Sequence, residues 1–248
     1  RNFRSSFFQC FWRQNEHNNG HRKRGEDKKE QIAEDESVAV AFSGGIDSAV
    51  LAVLACTDYR NVQLLYFTYG CKAEEKETIA VKQLTIWLIL SFPLVNINLN
   101  FIDIPALKGS KGATLTDEAL TPNESGAEQP TDLVPYRNAI MISTAASFCE
   151  TNKIRKVMFG FNMEESSVYY DTSSEFVSAF NKVLALSYYA VNIVCPLRND
   201  MKRDIWLKAK ELSVPMSMIW SCYNGGEEPC GTCGSCIRNS LANRLINI

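Results

Sequence analysis

One stretch, Ser37 to Thr57, limits the fold more than any other part of the chain: "SVAVAFSGGIDSAVLAVLACT". After Ser37, five residues run apolar without polar alternation, the pattern of a strand buried on both faces. A Ser-Gly-Gly turn follows, and "DSAVLAVLACT" then reads as a helix. Strand-like and helix-like segments go on alternating. "VQLLYFTYG", "LVNINLNFIDI", "KVMFGFN" and "VNIVCPL" read as strands. "AEEKETIAVKQLTIWLI", "RNAIMISTAASFCETN", "SSEFVSAFNKVLALS" and "MKRDIWLKAKELS" read as helices, the last closed by Pro215. This order predicts an α/β fold, a parallel sheet with helices on both faces. With 248 residues, 46% of them apolar, the chain can fill such a core.

The first turn also suggests chemistry. Ser43, Gly44, Gly45, Asp47 and Ser48 stand between the first strand and its helix. Glycines let a ligand approach the backbone closely, and a helix N-terminus offers unpaired N–H groups to an anion. Asp47 is the unexpected member, because a carboxylate repels phosphate unless a cation stands between them. It therefore points to Mg²⁺ bridging pyrophosphate oxygens. The competing account is a tight turn in which Asp47 or Ser48 merely caps the helix. The turn resembles the PP-loop of ATP pyrophosphatases, which cleave ATP between its α- and β-phosphates. It lacks the GxxxxGK[ST] pattern of a Walker loop.

Nine cysteines divide into two groups. Cys10, Cys56, Cys71, Cys149 and Cys195 are scattered, which argues against a disulfide framework and for a reducing compartment, most simply the cytoplasm. Cys222, Cys230, Cys233 and Cys236 crowd into the glycine-rich "WSCYNGGEEPCGTCGSC". Four thiolates so spaced can close a tetrahedron around Zn²⁺, and a site closed by sulfur fixes structure rather than activating water. An iron–sulfur cluster and a thioredoxin-like pair are the rivals.

The Cys-rich segment resembles the C-terminal signature of the 7-cyano-7-deazaguanine synthase family. "GATLTDEAL", "LVPYRNAIMISTAASFCE", "GFNMEESSVYYDTSSEFVSAFN" and "CPLRNDMKRDI" match the same family in order, over about residues 37 to 240. The resemblance implies a PP-loop, adenine nucleotide α-hydrolase-like domain and a ligase chemistry. ATP activates the carboxylate of 7-carboxy-7-deazaguanine as an adenylate, ammonia gives the amide, and a second ATP drives dehydration to the nitrile. It implies that Ser43, Gly44, Gly45, Asp47 and Ser48 bind pyrophosphate with its Mg²⁺, and that Arg137 and Lys202 are cationic groups near the phosphates. Read without the family, Arg137 would be a surface ion-pair residue and Lys202 a solvated lysine of a first helical turn. Glu165 (where the family commonly has Asp), Ser167, Tyr169, Asp171 and Thr116 are implied in substrate contact; the bland account of 165–175 is a capping loop before a helix. The expected cofactors are ATP, Mg²⁺ and Zn²⁺.

The sequence also departs from the family. Its usual Tyr-Gly-Gln-x-His is here Tyr69-Gly70-Cys71-Lys72-Ala73, and both histidines, His17 and His21, lie in the charged N-terminal stretch. No core histidine is left to serve as a general base. Relatives with these motifs also occur in anti-phage operons, so delivery of the acyl group to an amine of a protein or other macromolecule is the alternative function; an inactive scaffold is the third. The expected organisation is a polar, aromatic-led extension over 1–36, an ATP-binding domain over 37–215, and a zinc-binding annex with a C-terminal helix over 216–248. The long polar stretch from Gly109 to Leu133 reads as a functional loop. A net charge of −2 gives no cationic field for nucleic acid, and no run is long and apolar enough to span a bilayer. Kinship implies a homodimer.

Overall fold

A computed structural model describes residues 36–117, 119–120 and 133–246. The aromatic and charged N-terminal stretch, with both histidines, and much of the long loop therefore lie outside the described residues. Five parallel strands form the sheet: β1 (Ser37–Ala41), β2 (Asn61–Thr68), β3 (Asn96–Asp103), β4 (Lys156–Met158) and β5 (Asn192–Val194). Their spatial order is β3-β2-β1-β4-β5. The longer helices are α1 (Ile46–Asp58), α2 (Glu74–Ser91), α3 (Arg137–Thr151), α5 (Ser174–Leu184), α6 (Lys202–Glu211) and α7 (Gly234–Ile246); α4 (Met163–Ser166) is a single turn.

Alternation along β1 shows why the sheet is covered twice. Val38 and Val40 enter a core with α1, the inner face of α2 and α6. Ala39 turns to the opposite core, built with Leu65 and Phe67 of β2 and with Ile142, Ala145 and Cys149 of α3. All three β1 residues are fully buried, as period-two alternation between two apolar layers requires. The chain runs outward from β1 to β3, then crosses back so that β4 pairs with the other edge of β1. Between β1 and β4 the strand order reverses, and open sheets of this type bind ligands in the crevice that opens there.

The alternation of strands and helices along the chain follows the sequence expectation, while β4 and β5 are shorter than expected. Phe159 N–H still donates to the Val194 carbonyl at 3.0 Å, but the chain then leaves the sheet. At Gly160 it passes so close to α1 that a Cβ there would lie 3.2 Å from the Asp47 Cβ. The early exit brings the 162–172 segment over the first turn of α1. Among the described residues no helix is long and apolar enough to cross a membrane.

The Cys-rich segment is packed into the α/β domain. Trp220 N–H donates to the Gly44 carbonyl at 3.1 Å, and Trp206 of α6 donates its indole N–H to Asn239 of α7 at 2.9 Å. Gly225 lies against the Lys72 backbone, where any Cβ would sit 2.2 Å from the carbonyl oxygen. Only glycine fits there.

Candidate active site

A cavity of about 260 Å³ opens at the reversal point, walled by the turn after β1, the ends of β2 and β4, the start of α3 and the Cys-rich segment. Ser43, Gly45, Asp47 and Ser48 line one end. The first rung of the α1 ladder runs from Ala49 N–H to the Gly45 carbonyl at 3.0 Å, so the Asp47 and Ser48 amides lie ahead of it. Ile46 N–H meets the Ser221 hydroxyl at 3.4 Å, and Ser43 and Ser48 bring their hydroxyls within 3.4 Å of each other. This is a concave set of donors at a positive helix end, the requirement for holding a polyanion. Gly44 does not line the cavity. With φ of +79° and a would-be Cβ 2.9 Å from that of Ala80, it is glycine because α2 presses on the turn.

Asp47 and Lys202, distant in sequence, form an ion pair. Lys202 Nζ donates to both carboxylate oxygens, at 2.9 and 2.7 Å, and Asn162 donates to Oδ1 at 3.2 Å. Lys202 is 4% exposed, so the solvated-lysine account fails. Burial pulls its pKa down, but the charges of Asp47 and Glu165 outweigh that and hold it above the usual lysine value. Its own N–H is capped by Glu164 at 2.8 Å. Oδ1 accepts twice, but Oδ2 accepts only from Lys202 among the described residues and keeps a second lone pair, so the donor set suits a hydrated Mg²⁺.

Toward the other end stand Tyr69, Glu77, Arg137, Glu165, Tyr169 and Asp171. Arg137 begins α3 just after Tyr136, which adopts a left-handed φ of 56°. The guanidinium donates to the Tyr69 hydroxyl at 3.4 Å and lies 5.9 Å from its ring centre, so it is no surface ion-pair residue. Asp171 is 1% exposed, yet among the described residues neither carboxylate oxygen has a hydrogen-bond partner. An orphaned buried carboxylate costs stability and is kept where a ligand supplies the missing donors. Burial pushes the Glu165 carboxyl up, with Lys202 pulling the other way and Asp47 adding to the rise.

Two expected contacts fall elsewhere. Thr116 is buried with its hydroxyl donating to the Ser110 carbonyl at 2.7 Å, and its neighbour Leu115 lines the cavity instead. Ser167 faces solvent and donates to Glu164 at 2.7 Å. Asp117 caps this loop, accepting from Gly112 and Ala119, each at 3.0 Å. Sequence reasoning missed Glu77, Asn162, Trp220 and Ser221. For Glu77 a signal existed: it falls on the helical stripe of Ala80, Val81, Leu84 and Leu88, all buried, where a carboxylate has no structural reason to be.

The sulfurs of Cys222, Cys230, Cys233 and Cys236 lie within 4.8 Å of one another. A tetrahedral Zn²⁺ with Zn–S near 2.3 Å needs sulfurs about 3.8 Å apart, so the four fit such an ion closely. Backbone N–H groups of Asn224 and Cys230 point at the Cys222 sulfur, each at 3.3 Å, as they do around thiolates held by a metal. Cys71, in contrast, stands apart from this cluster, buried beyond the end of β2. Burial, with the Glu77 charge behind it, pushes its pKa well up.

Sheet order, the cavity at the reversal point and the glycine turn after β1 together define a fold of the PP-loop type. The model of the queuosine biosynthesis protein QueC family matches residues 37–245, and the chain belongs to that family. It is 34% identical over 212 residues to a 7-cyano-7-deazaguanine synthase of Sulfolobus acidocaldarius, covering 83% of this chain and 45% of that protein. A 7-cyano-7-deazaguanine synthase of Carboxydothermus hydrogenoformans is 35% identical over 215 residues, covering 82% of this chain and 96% of that protein. The chain thus spans about half the length of the archaeal relative and nearly all of the bacterial one. Among solved structures, a 4-thiouridine synthetase–RNA complex with bound ATP superposes with a TM-score of 0.50 at 18% identity, over 86% of this chain and 50% of that one. That likeness concerns the fold alone.

Proposed function

We propose that this chain is an ATP-dependent, C–N bond-forming ligase that converts 7-carboxy-7-deazaguanine to 7-cyano-7-deazaguanine. Family membership supports the reading, and one observation carries it. A single cavity holds a phosphate cradle at one end and, toward the other, a buried carboxylate with no partner. Asp171 would accept from the N–H edge and exocyclic amine of a guanine-like base, and Tyr169 would lie against its face. That orientation turns the substrate carboxylate toward the cradle.

The chemistry needs a leaving group, since a carboxylate oxygen does not depart by itself. A substrate oxygen attacks the α-phosphorus of ATP. Pyrophosphate leaves into the cradle of Ser43, Gly45 and Ser48, where Lys202 balances the growing charge, with Arg137 a further cation of the same cavity. Asp47 would hold Mg²⁺, which supplies further charge neutralisation when bound. Ammonia then displaces AMP to give the amide. In a second round the amide oxygen attacks ATP, and loss of AMP with the N–H protons leaves the nitrile. Zn²⁺ on the four cysteines would lock the segment carrying Trp220, Ser221 and Tyr223 against the cradle, without entering the reaction. We carry the homodimer over from the family as part of the proposal.

A second reading keeps the adenylation and ends with the acyl group on an amine of a macromolecule. The small side chains at Cys71 and Ala73, both lining the cavity, favour it by leaving room for a larger acceptor. Mass spectrometry of a reaction with ATP, Mg²⁺, the acid and ammonium decides. The nitrile with AMP supports synthesis, AMP with acid consumed but no nitrile supports transfer to another acceptor, and no acid-dependent AMP removes both.

A further inference from the structure

Neither the cradle nor the base-binding end uses Glu77. Its carboxyl comes off the inner face of α2 into the cavity, where it accepts from the Tyr66 hydroxyl at 3.3 Å and faces the Cys71 sulfur at 3.9 Å. Both contacts engage Oε2, and among the described residues Oε1 accepts no hydrogen bond. The groups around it come from four elements: Tyr66 on β2, Cys71 on the following loop, Glu74 on α2 and Arg137 on α3. No lysine is among them. The carboxyl is therefore not consumed by an ion pair as Asp47 is. Ala73 and Cys71, both lining the cavity, are too small to cover it.

A recessed carboxyl beside unfilled space suits a small cation with hydrogens to give. We propose that Glu77, with Tyr66, Cys71 and Ala73, forms the amine subsite: it admits the acceptor as an ammonium ion, and Glu77 takes its proton before attack. This deepens the adenylating reading and rests on it. The step balances. One proton passes from ammonium to Oε1, and the freed nitrogen pair attacks the acyl carbon. A C–N bond forms, the bond from that carbon to the AMP oxygen breaks, and AMP leaves with the electron pair. The adduct nitrogen loses its second proton to water, giving amide, AMP and two protons in all. Burial pushes the carboxyl up to about 7, with Tyr66 and Arg137 opposing, which suits proton exchange with an amine near neutrality.

The shared chemistry is a primary amine, free or carried on something larger, and Glu77→Gln in the metal-loaded full chain tests it. Acid-dependent exchange of pyrophosphate into ATP reads adenylation alone. Amide formation is then followed with ammonium, with methylamine as the probe for a carried amine, and with hydroxylamine, which is neutral at pH 7 and needs no proton removed. The expected result is exchange within about threefold of the parent, a loss of roughly 100-fold or more with ammonium, and near-parental rates with hydroxylamine. Methylamine turnover by the parent, lost in the variant, marks a subsite open to carried amines; turnover of ammonium alone marks a subsite for ammonia, and both keep Glu77 in its role. Equal losses with all amines, or unchanged ammonium turnover, would overturn the assignment. Absence of exchange in the parent would instead strike the adenylating reading.

Discussion

The Asp47–Lys202 pair makes a demand that can be worked from its geometry. Lys202→Met keeps the length of the side chain and removes both Nζ contacts, at 2.9 and 2.7 Å, leaving the Asp47 carboxylate with only Asn162. Stranding one member of a fully buried pair costs about 3–5 kcal/mol. The Asp47 side chain keeps 20% exposure at the cavity, against 5% for Lys202, so partial hydration reduces its share. A loss of about 2–3 kcal/mol follows for Lys202→Met, or roughly 5–10 °C in Tm for a domain of this size. Asp47→Asn strands the better-buried ammonium and should cost more, about 3–5 kcal/mol. The double variant leaves no charge unpaired. It should therefore be more stable than the sum of the single losses allows by at least about 1 kcal/mol. Urea denaturation of the four proteins without nucleotide, followed by circular dichroism, measures this. Additive losses would mean that the two groups do not sense each other, and the reasoning would fail.

Three further outcomes are expected. Asp171→Asn relieves an orphaned carboxylate and should raise stability by about 1 kcal/mol while weakening binding of the deazaguanine acid at least about tenfold; loss of stability with unchanged KM would contradict the base-recognition role. Cys233→Ser removes a fully buried member of the thiol cluster and should lower bound zinc, about one per chain in the parent, together with thermal stability; a stable, zinc-replete variant would refute the closed site. Glu77 sits near 7 in the fold against an ordinary 4.5, so between those values the folded chain holds a proton that the unfolded chain has lost. Its contribution to stability is full below about 4.5 and gone above about 7, and Glu77→Gln should gain on the parent as pH rises from 5 to 8; a pH-independent difference would contradict the shift.

What could be read from the sequence was what is local. The strands buried on both faces set the α/β order, because Val38, Ala39 and Val40 must each find an apolar layer. The glycine turn and the four cysteines were legible for the same reason, each being a run of neighbours. Strand ends were not, since β4 stops where Gly160 meets Asp47, a contact made across the fold. The pairing of Lys202 with Asp47 and the place of Ser221 were obscure in the same way, the partners lying 155 and 175 residues away. Gly44 was legible as a glycine and misplaced in its cause: the pressure comes from Ala80 on α2 rather than from a ligand.

Activation of an acid by AMP is the claim on which the chemistry stands, and a heavy-oxygen label tests it directly. With both carboxylate oxygens of 7-carboxy-7-deazaguanine labelled, the AMP formed should carry one labelled oxygen on its phosphate, and the pyrophosphate none. Label found in pyrophosphate or in inorganic phosphate, or AMP formed without it, would contradict the account.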